Sequence, residues 1–325
     1  MDIQRIEAAA ERLRGHARVT PLLSSPFLDE IAGRRVFVKP ECLQNTGSFK
    51  YRGARSAVSA LTDAQRSQGV IAYSSGNHAQ GVALAAQQFG ITAVIVMPSD
   101  APKMKIDNTR AFGAEVVLYD RANEDREVIG GRIAQERGLT LIRPYDEPNV
   151  IAGQGTCGLE IAAQASEMGV TDADVLVCCG GGGLTSGIAL ALEAKAPGMR
   201  ARPVEPERFD DVTRSLASGH IEANASTAGG LCDAIVTRQP GNLTFPIMQR
   251  LCGPGIVVSD EDAQHAMAQA FARLKLVAEP GGAVALAAAL FHGDQIEGDT
   301  VIVTISGGNV DQAVFETALD KFGDG

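Results

Sequence analysis

Short apolar runs rich in valine and isoleucine recur along this chain, and longer segments with a helical spacing of apolar residues separate them. Six such runs lie at residues 69–73, 92–97, 115–119, 139–143, 174–178 and 300–305. Strands that are apolar on both faces are typical of parallel sheets, which helices cover on either side. The alternation of strand and helix patterns therefore predicts an α/β protein.

Helix-ending signals support this alternation. Gly90, Gly113 and Gly138 each lie where a helical pattern stops before the next apolar run, and glycine readily adopts the left-handed conformation that ends many helices. Ser259 and Asp262 form a capping-box pattern, which predicts a helix that begins there and continues to about residue 275.

The length of the chain and the distribution of the runs predict two domains. The length of 325 residues suits either two domains or one large α/β unit, and no Gly/Ser-rich or Pro-rich linker divides the chain. Four strand–helix units between residues 69 and 146 are enough for a sheet of their own. We therefore predict a small domain at 69–146, inserted into a large domain formed by 1–68 and 147–325.

Composition and charge narrow the range of partners. Apolar residues make up 45% and charged residues 21% of the chain, as in an ordinary soluble globular protein. The net charge of −10 disfavours broad binding to nucleic acid or to anionic lipid. The apolar stretches are too short to span a membrane, and the N-terminus is too polar for a signal peptide. These features predict a cytoplasmic protein with a small-molecule partner.

One lysine has an unusual sequence setting. The segment Asn45–Gly53 follows a strand-like run and leads into a helical pattern, which places Lys50 in the first turn of a helix. The partial positive charge of a helix N-terminus disfavours an ammonium group and lowers the pKa of the lysine toward the neutral amine that forms Schiff bases. Taken alone, a solvated surface lysine is the more ordinary interpretation.

A polar turn, Ser74–Gln80, separates the run ending at Tyr73 from a helical pattern that extends from His78 to Phe89. Backbone N–H groups and small hydroxyls at such a strand-to-helix turn bind anions such as carboxylates. A turn capped by serine, with His78 as a structural histidine, explains the same pattern equally well.

Two further turns are rich in glycine. Gly180–Gly183 follow the run at 174–178 and open a helical pattern, and close approach of the backbone to a phosphate best explains four consecutive glycines. The lysine of a Walker A loop is missing. A dinucleotide-binding loop with Glu205 as its ribose-binding acid is the main alternative, but the glycine spacing does not match. Ser306–Asn309 form the last turn. This turn, the glycine turn and the polar turn Ser74–Gln80 each follow a predicted strand, so they are predicted to line one pocket at the carboxyl ends of the strands.

These segments, in this order, resemble motifs of the fold-type II pyridoxal-phosphate enzymes, in the group of serine/threonine dehydratases and serine racemases. The matching motifs are Thr20–Leu22, Gly47–Ala54, Ser75–His78, Ile151–Thr156, Gly180–Gly183 and Ser306–Asn309. The resemblance extends over essentially the whole chain. It implies two open, twisted, mainly parallel sheets with flanking helices, as in the tryptophan synthase β fold, and a small domain that closes on the substrate.

The resemblance also implies how pyridoxal 5'-phosphate would be held. Lys50 would carry the cofactor covalently, Phe49 would lie against its ring, and Asn77 would hydrogen-bond the ring hydroxyl. Ser306 would face the pyridine nitrogen, and Glu279 would lie near the ring, with helix capping as the alternative role for this acid. The phosphate would rest on the backbone of Gly180, Gly181, Gly182, Gly183 and Leu184.

Substrate and metal ligands follow from the same resemblance. The implied substrate-binding residues are Ser74, Ser75, Asn77, His78 and Arg126. Ser75 would also act catalytically on the face of the cofactor opposite Lys50, whereas a solvated helix-face arginine is an equally good interpretation of Arg126. The implied ligands of a magnesium or calcium ion are Glu205, Asp211 and the carbonyl of Phe209. Acidic loop residues are usually solvated, which is the alternative for this group.

The predicted function is a pyridoxal-phosphate-dependent lyase, an ammonia-lyase that converts a small β-hydroxy amino acid such as L-threonine or L-serine to a 2-oxo acid and ammonia. Lys50 would remove the α-proton. A serine or aspartate-type racemase and a 3-hydroxyaspartate dehydratase are alternatives on the same scaffold, and a nucleotide-binding oxidoreductase is a more distant one. The resemblance also implies a homodimer. Departures from the serine racemase pattern at residues 145–147 and 230–233 leave the substrate open.

Overall fold

The computed structural model describes residues 1–74, 76–101, 103–226 and 229–323. Its strands are β1 (Leu23–Ser24), β2 (Arg35–Pro40), β3 (Val70–Tyr73), β4 (Ala93–Pro98), β5 (Glu115–Tyr119), β6 (Thr140–Leu141), β7 (Ala173–Cys178), β8 (Met199–Pro206), β9 (Ile256–Val258) and β10 (Thr300–Ile305).

Its α-helices are α1 (Ile3–Leu13), α2 (Pro26–Ala32), α3 (Lys50–Ser59), α4 (Asp63–Gln68), α5 (Asn77–Phe89), α6 (Lys103–Ala111), α7 (Arg126–Arg137), α8 (Pro148–Glu167), α9 (Gly183–Lys195), α10 (Asp211–Ser218), α11 (Thr244–Leu251), α12 (Asp260–Leu274), α13 (Pro280–Phe291) and α14 (Gln312–Phe322). Four short 3-10 helices lie at Glu41–Leu43, Asn45–Gly47, Asp233–Ile235 and Gly293–Gln295 within the described ranges.

The larger sheet has the strand order β1-β2-β10-β7-β8-β9. Its strands pair in parallel except at the β1 edge, where Leu23 opposes Val38 in an antiparallel pair. The central strands are buried on both faces, because α13, an almost wholly apolar helix, packs on this sheet together with α9. The carboxyl ends of β7 and β10 lead directly into the two glycine-rich turns.

The smaller sheet has the order β5-β4-β3-β6, and its strands are all parallel. Central β4 is fully buried. The expectation of burial was wrong for β5, because this strand forms an edge of the sheet and leaves Glu115 and Leu118 exposed. The run at 139–143 forms a strand only at Thr140–Leu141. The two mainly parallel sheets with flanking helices confirm the predicted fold class, whereas the domain limits at 69 and 146 stay a prediction.

Local signals placed several helix ends correctly. Gly90 and Gly138 end α5 and α7 in the left-handed conformation, with φ of 66° and 67°. Ser259 caps α12 through the reciprocal hydrogen bonds of a capping box with Asp262. Among the described residues, every helix is too short or too polar to cross a membrane.

A buried ion network anchors α3, the helix that begins at Lys50. Arg52 contacts Glu41 at 2.7 Å and Glu160 at 2.6 Å, and Lys39 contacts Glu160 at 2.7 Å. Two positive and two negative charges are therefore balanced in the interior, where an unpaired charge would be strongly destabilising. The network joins β2, α3 and α8, and it fixes the start of α3 against the larger sheet.

Candidate active site

Lys50 is the first residue of α3, as predicted. Part of its side chain is open to solvent, while protein surrounds its amine. The Nζ atom donates a hydrogen bond to the Pro144 carbonyl at 3.0 Å and lies 5.1 Å from the centre of the Phe49 ring. Burial lowers the pKa of Lys50 from 10.5 to about 8, although the negative charge of Glu279 opposes this shift. A substantial neutral fraction makes this lysine a competent nucleophile and base.

The four glycines form a turn between β7 and α9 in which side chains would collide with neighbouring groups. A Cβ on Gly180 would lie 2.7 Å from the Ile235 carbonyl oxygen, and one on Gly181 would lie 2.3 Å from the ring of Tyr145. Gly182 has a φ of +89°. The turn therefore requires glycine, and it presents the free backbone N–H groups at the start of α9. Leu184, next in sequence, is buried in the apolar core.

The turn that follows β10 is tied to the segment that carries Lys50. Phe49 N donates to the Ser306 carbonyl at 3.1 Å, and Gly308 N donates to the Gly47 carbonyl at 2.9 Å. Ser306 itself is buried. The structure thus brings the segment that carries Lys50 together with the 306–309 turn.

A chain of side-chain hydrogen bonds connects this turn to α5. Asn77 donates through Nδ2 to Glu279 Oε1, and Asn309 donates through Nδ2 to Asn77 Oδ1 at 2.8 Å and to the Thr46 carbonyl at 2.8 Å. Burial raises the pKa of Glu279 to about 7, with Lys105 acting in the opposite direction. Glu279 occupies the N-cap position of α13, but its side chain makes no capping hydrogen bond. Its carboxylate is directed to Asn77, so the alternative capping role was wrong.

The predicted carboxylate-binding turn keeps a neutral histidine. His78 Nε2 donates to the Ile142 carbonyl at 2.9 Å. Burial and the nearby charge of Lys50 lower the pKa of His78 to about 3, so the imidazole is neutral and its Nδ1 atom is an acceptor. Ser74 Oγ accepts a hydrogen bond from Gly76 N at 3.2 Å. Ser75 lies outside the described residues.

Buried polar atoms without partners mark the same region. Within the described part of the chain, Ser48 Oγ, His78 Nδ1 and Glu279 Oε2 are buried and make no hydrogen bond. Buried polar groups in folded proteins normally have partners. Together with the glycine turn and the partly neutral Lys50, these atoms fit a polar, phosphate-bearing cofactor with a reactive carbonyl group.

Three residues near the site were not predicted from the sequence. Lys105 reaches from α6 to within 3.6 Å of Asp233 Oδ2 and 3.8 Å of Glu279 Oε2. The Tyr145 ring lies against the glycine turn, where it would meet any side chain at Gly181. The only sequence signal for Tyr145 and Asp233 was that their segments depart from the serine racemase pattern.

Arg126 is exposed at the first position of α7. Burial raises the pKa of Tyr145, and Arg126 is close enough that its charge acts in the opposite direction. The arginine therefore lies near Tyr145. Its contact with a substrate carboxylate stays a prediction.

The predicted cation ligands lie together, but hydrogen bonds already occupy one of them. Glu205 accepts from Val212 N at 3.0 Å and from Thr213 N at 2.7 Å, and it thereby caps α10. Asp211 keeps one buried oxygen, Oδ2, without a partner among the described residues. Burial raises the pKa of Glu205 to about 8 and that of Asp211 to about 7.

A bound cation at this place stays a prediction. The Phe209 side chain is buried, and only its carbonyl was predicted as a ligand. No group of three or more histidine, cysteine, aspartate or glutamate side chains suited to a metal occurs in the described ranges.

Two parallel sheets, a buried lysine of lowered pKa and a glycine turn at a helix N-terminus together define an α/β enzyme built around a phosphate-bearing carbonyl cofactor. The chain belongs to the pyridoxal-phosphate dependent enzyme family, whose model matches residues 13–307. This membership confirms the predicted family and its lyase class, because similar ammonia-lyases match 96% to 98% of the chain.

Three relatives illustrate the similarity. An L-threo-3-hydroxyaspartate ammonia-lyase from Pseudomonas sp is 46% identical over 311 residues, which cover 96% of this chain and 96% of the relative. A serine racemase from Schizosaccharomyces pombe is 42% identical over 306 residues, with 94% and 93% covered. The crystal structure of a threonine deaminase from T.th. superposes with a TM-score of 0.90 at 44% identity and covers 96% of this chain and 99% of its own. Their activities differ, so the family alone does not fix the substrate.

Proposed function

We propose that this protein is an ammonia-lyase that converts a β-hydroxy amino acid to a 2-oxo acid and ammonia. The water lost in the elimination is taken up again when ammonia is released by hydrolysis. The observation that carries the proposal is the placement of Lys50. This residue begins α3 beside the 306–309 turn, and its amine has a pKa of about 8. The amine donates to the Pro144 carbonyl, and the next residue, Tyr145, lies against the glycine turn. Such an amine serves both for covalent attachment of a carbonyl cofactor and for removal of a substrate proton.

The residues present fit pyridoxal phosphate. Lys50 would hold its carbonyl carbon, the N–H groups of the Gly180–Leu184 turn would bind its phosphate, and Ser306 would face its ring nitrogen. Asn77 and Phe49 would contact the ring. When bound, the cofactor withdraws electrons from the α-carbon of an amino acid and so acidifies its proton.

The protein then has to bind the substrate and move protons. The start of α5, with Ser74, Asn77 and His78, offers N–H groups and polar side chains for the α-carboxylate. Lys50 accepts the α-proton, since burial lowers its pKa to about 8 and so raises the neutral fraction of its amine. The Pro144 carbonyl, 3.0 Å from Nζ, orients that amine.

Among β-hydroxy amino acids, we propose a dicarboxylic one, L-threo-3-hydroxyaspartate, in preference to L-threonine or L-serine. The 46% identical relative with that name supports this choice. Arg126 supports it as well, because its positive charge acts at Tyr145 against the negative charges of Asp146, Asp211 and Glu127. A second carboxylate on the substrate gains most from such a local cation.

Steady-state ammonia release from the three amino acids tests the choice. We expect the largest kcat/KM for 3-hydroxyaspartate, and a loss of that preference in Arg126→Leu. Arg132→Leu, at another exposed position of α7, is the matched control. Equal loss for all three substrates in Arg126→Leu would contradict a role in binding the second carboxylate.

Racemisation is a second candidate activity, which the 42% identical serine racemase supports. It requires an acid and a base on opposite faces of the cofactor, and Ser75 is our candidate opposite Lys50. Formation of the D-enantiomer from L-serine, measured beside 2-oxo acid formation, tests it. Elimination without any D-product would restrict the protein to lyase chemistry.

We also propose that the protein acts as a homodimer. Large apolar side chains are exposed on α2 and α12, including Phe27 at 56% and Phe271 at 42%. Arg273 lies 4.9 Å from the centre of the Phe27 ring, which links the two helices into one surface. Contiguous apolar surface of this kind is typical of protein interfaces. Sedimentation of the parent and of Phe27→Glu would test this surface, with a monomeric variant as the expected result.

A further inference from the structure

Lys105 is a buried lysine on the smaller sheet's side of the site, and the proposed reaction has not yet used it. Its side chain leaves α6 and passes beneath the turn that leads into α5, where a Cβ on Gly76 would lie 3.4 Å from Cδ and 3.5 Å from Nζ. The side chain is only 5% exposed. Its ammonium ends between Asp233 and Glu279, both of which belong to the larger sheet's half of the molecule.

Neither ion pair of Lys105 is a close hydrogen bond. The distances are 3.6 Å to Asp233 Oδ2 and 3.8 Å to Glu279 Oε2. The Asp233 side chain is half exposed, whereas that of Glu279 is 3% exposed. Lys105 is therefore the main compensation for the buried Glu279 charge, because solvent already stabilises Asp233.

Glu279 determines which way the Asn77 amide points. Its Oε1 atom accepts from Asn77 Nδ2, and this leaves Asn77 Oδ1 to accept from Asn309 Nδ2 at 2.8 Å. A protonated Glu279 could donate as well as accept, and the hydrogen bond from Asn309 would then be the remaining contact among the described residues that holds the Asn77 amide in this orientation. The ionisation of Glu279 thus contributes to the orientation of the amide.

We propose that Lys105 is a positioning residue of the cofactor site: its ammonium keeps Glu279 as a carboxylate, and that carboxylate fixes the Asn77 amide toward the cofactor ring. The proposal rests on cofactor binding at Lys50 and Asn77, but it does not depend on which amino acid is the substrate.

Four charged or titratable groups surround Glu279 and have to be considered in its pH dependence. Lys105 approaches from α6, Asp233 from the 3-10 helix at Asp233–Ile235, Lys50 from α3 and Cys42 from the 3-10 helix at Glu41–Leu43. Lys105 favours the ionised carboxyl group and Asp233 disfavours it. Changes at these two positions should therefore act in opposite directions.

The test is a pH titration of the absorption spectrum of the bound cofactor in the holoenzyme, between pH 6 and 9. In Lys105→Met we expect the midpoint of the spectral change to move up by one pH unit or more, and Lys105→Arg should restore it to within a few tenths. Asp233→Asn should move the midpoint down. Lys103→Met, at an exposed position of the same helix with an 89% exposed side chain, should leave it unchanged.

Several outcomes would overturn the proposal. They are a parent spectrum that does not change over this pH range, an unchanged midpoint in Lys105→Met, or equal shifts in Lys105→Met and Lys105→Arg. If Lys105→Met does not fold, the midpoint measured in Asp233→Asn still tests the proposal. A midpoint that does not move down in that variant would refute it. Because the measurement needs no turnover, a wrong substrate assignment would show in the ammonia assay and leave this result unaffected.

Discussion

The amine of Lys50 should titrate near pH 8 in the cofactor-free protein, where an exposed lysine titrates near 10.5. The 2.5-unit difference corresponds to about 3 kcal/mol of discrimination against the ammonium form. At pH 7 about one molecule in ten then carries a neutral amine, compared with about one in three thousand for an exposed lysine. The unfolded chain binds the additional proton, so the cofactor-free protein should also gain stability as the pH rises from about 8 toward 10.5.

The assay is the rate at which cofactor-free protein captures pyridoxal phosphate, measured by borohydride trapping at a series of pH values. Only the neutral amine attacks the carbonyl group, so the rate should rise with pH and level off near 8. A blocked lysine derivative, reacted in the same buffers, corrects for the titration of the cofactor itself. The reaction rate of the blocked lysine derivative should continue to rise to about pH 10.5.

Glu279→Gln supplies the matched control. The charge of Glu279 raises the pKa of Lys50, so its removal should move the plateau to lower pH. Lys50→Arg should give no trapped adduct. A plateau near pH 10 in the parent, or an upward shift in Glu279→Gln, would refute the reasoning.

Three further predictions concern the cofactor turn, the ion network and the cation. Gly181→Val should weaken pyridoxal phosphate binding at least tenfold, because the valine side chain would collide with the Tyr145 ring. Gly131→Val, with open space around it, should bind the cofactor normally. Equal affinities of the two variants would contradict phosphate binding by the glycine turn. Arg52→Met should lower the free energy of unfolding in urea by about 3–5 kcal/mol, whereas Arg137→Met, in an exposed pair, should unfold like the parent. Magnesium or calcium should raise the melting temperature of the parent but not of Asp211→Asn, and a chelator without effect on the parent would exclude the cation site.

The parts of this molecule that local physics determines could be predicted from the sequence. The strands predicted at 115–119 and 300–305 match the observed limits at both ends, because short apolar runs between helical segments are typical of strands in parallel sheets. Gly180–Gly183 and Ser306–Asn309 were recognised since glycine is costly unless a backbone must approach closely. The shared edge of parallel strands then predicted that these turns lie at one site.

Side chains that join the site from distant segments could not be predicted in the same way. Lys105 lies in a helix whose sequence gives no sign of burial, and its partners Asp233 and Glu279 follow more than 120 residues later. Tyr145 reaches the glycine turn from a loop without regular structure. Glu205 was interpreted as a metal ligand, while its hydrogen bonds to the start of α10 appear only in three dimensions.

These distant contacts bring the acidities of two groups at the site close together. Burial lowers the pKa of Lys50 from 10.5 to about 8 and raises that of Glu279 from 4.5 to about 7. The six units that separate an ordinary lysine from an ordinary glutamate are thereby reduced to about one. A base whose pKa lies near the working pH can both accept and return a proton at little cost. Lys105 helps to maintain this balance. Without its positive charge, Glu279 would become protonated. The pKa of Lys50 would then fall further, because the negative charge of Glu279 raises it.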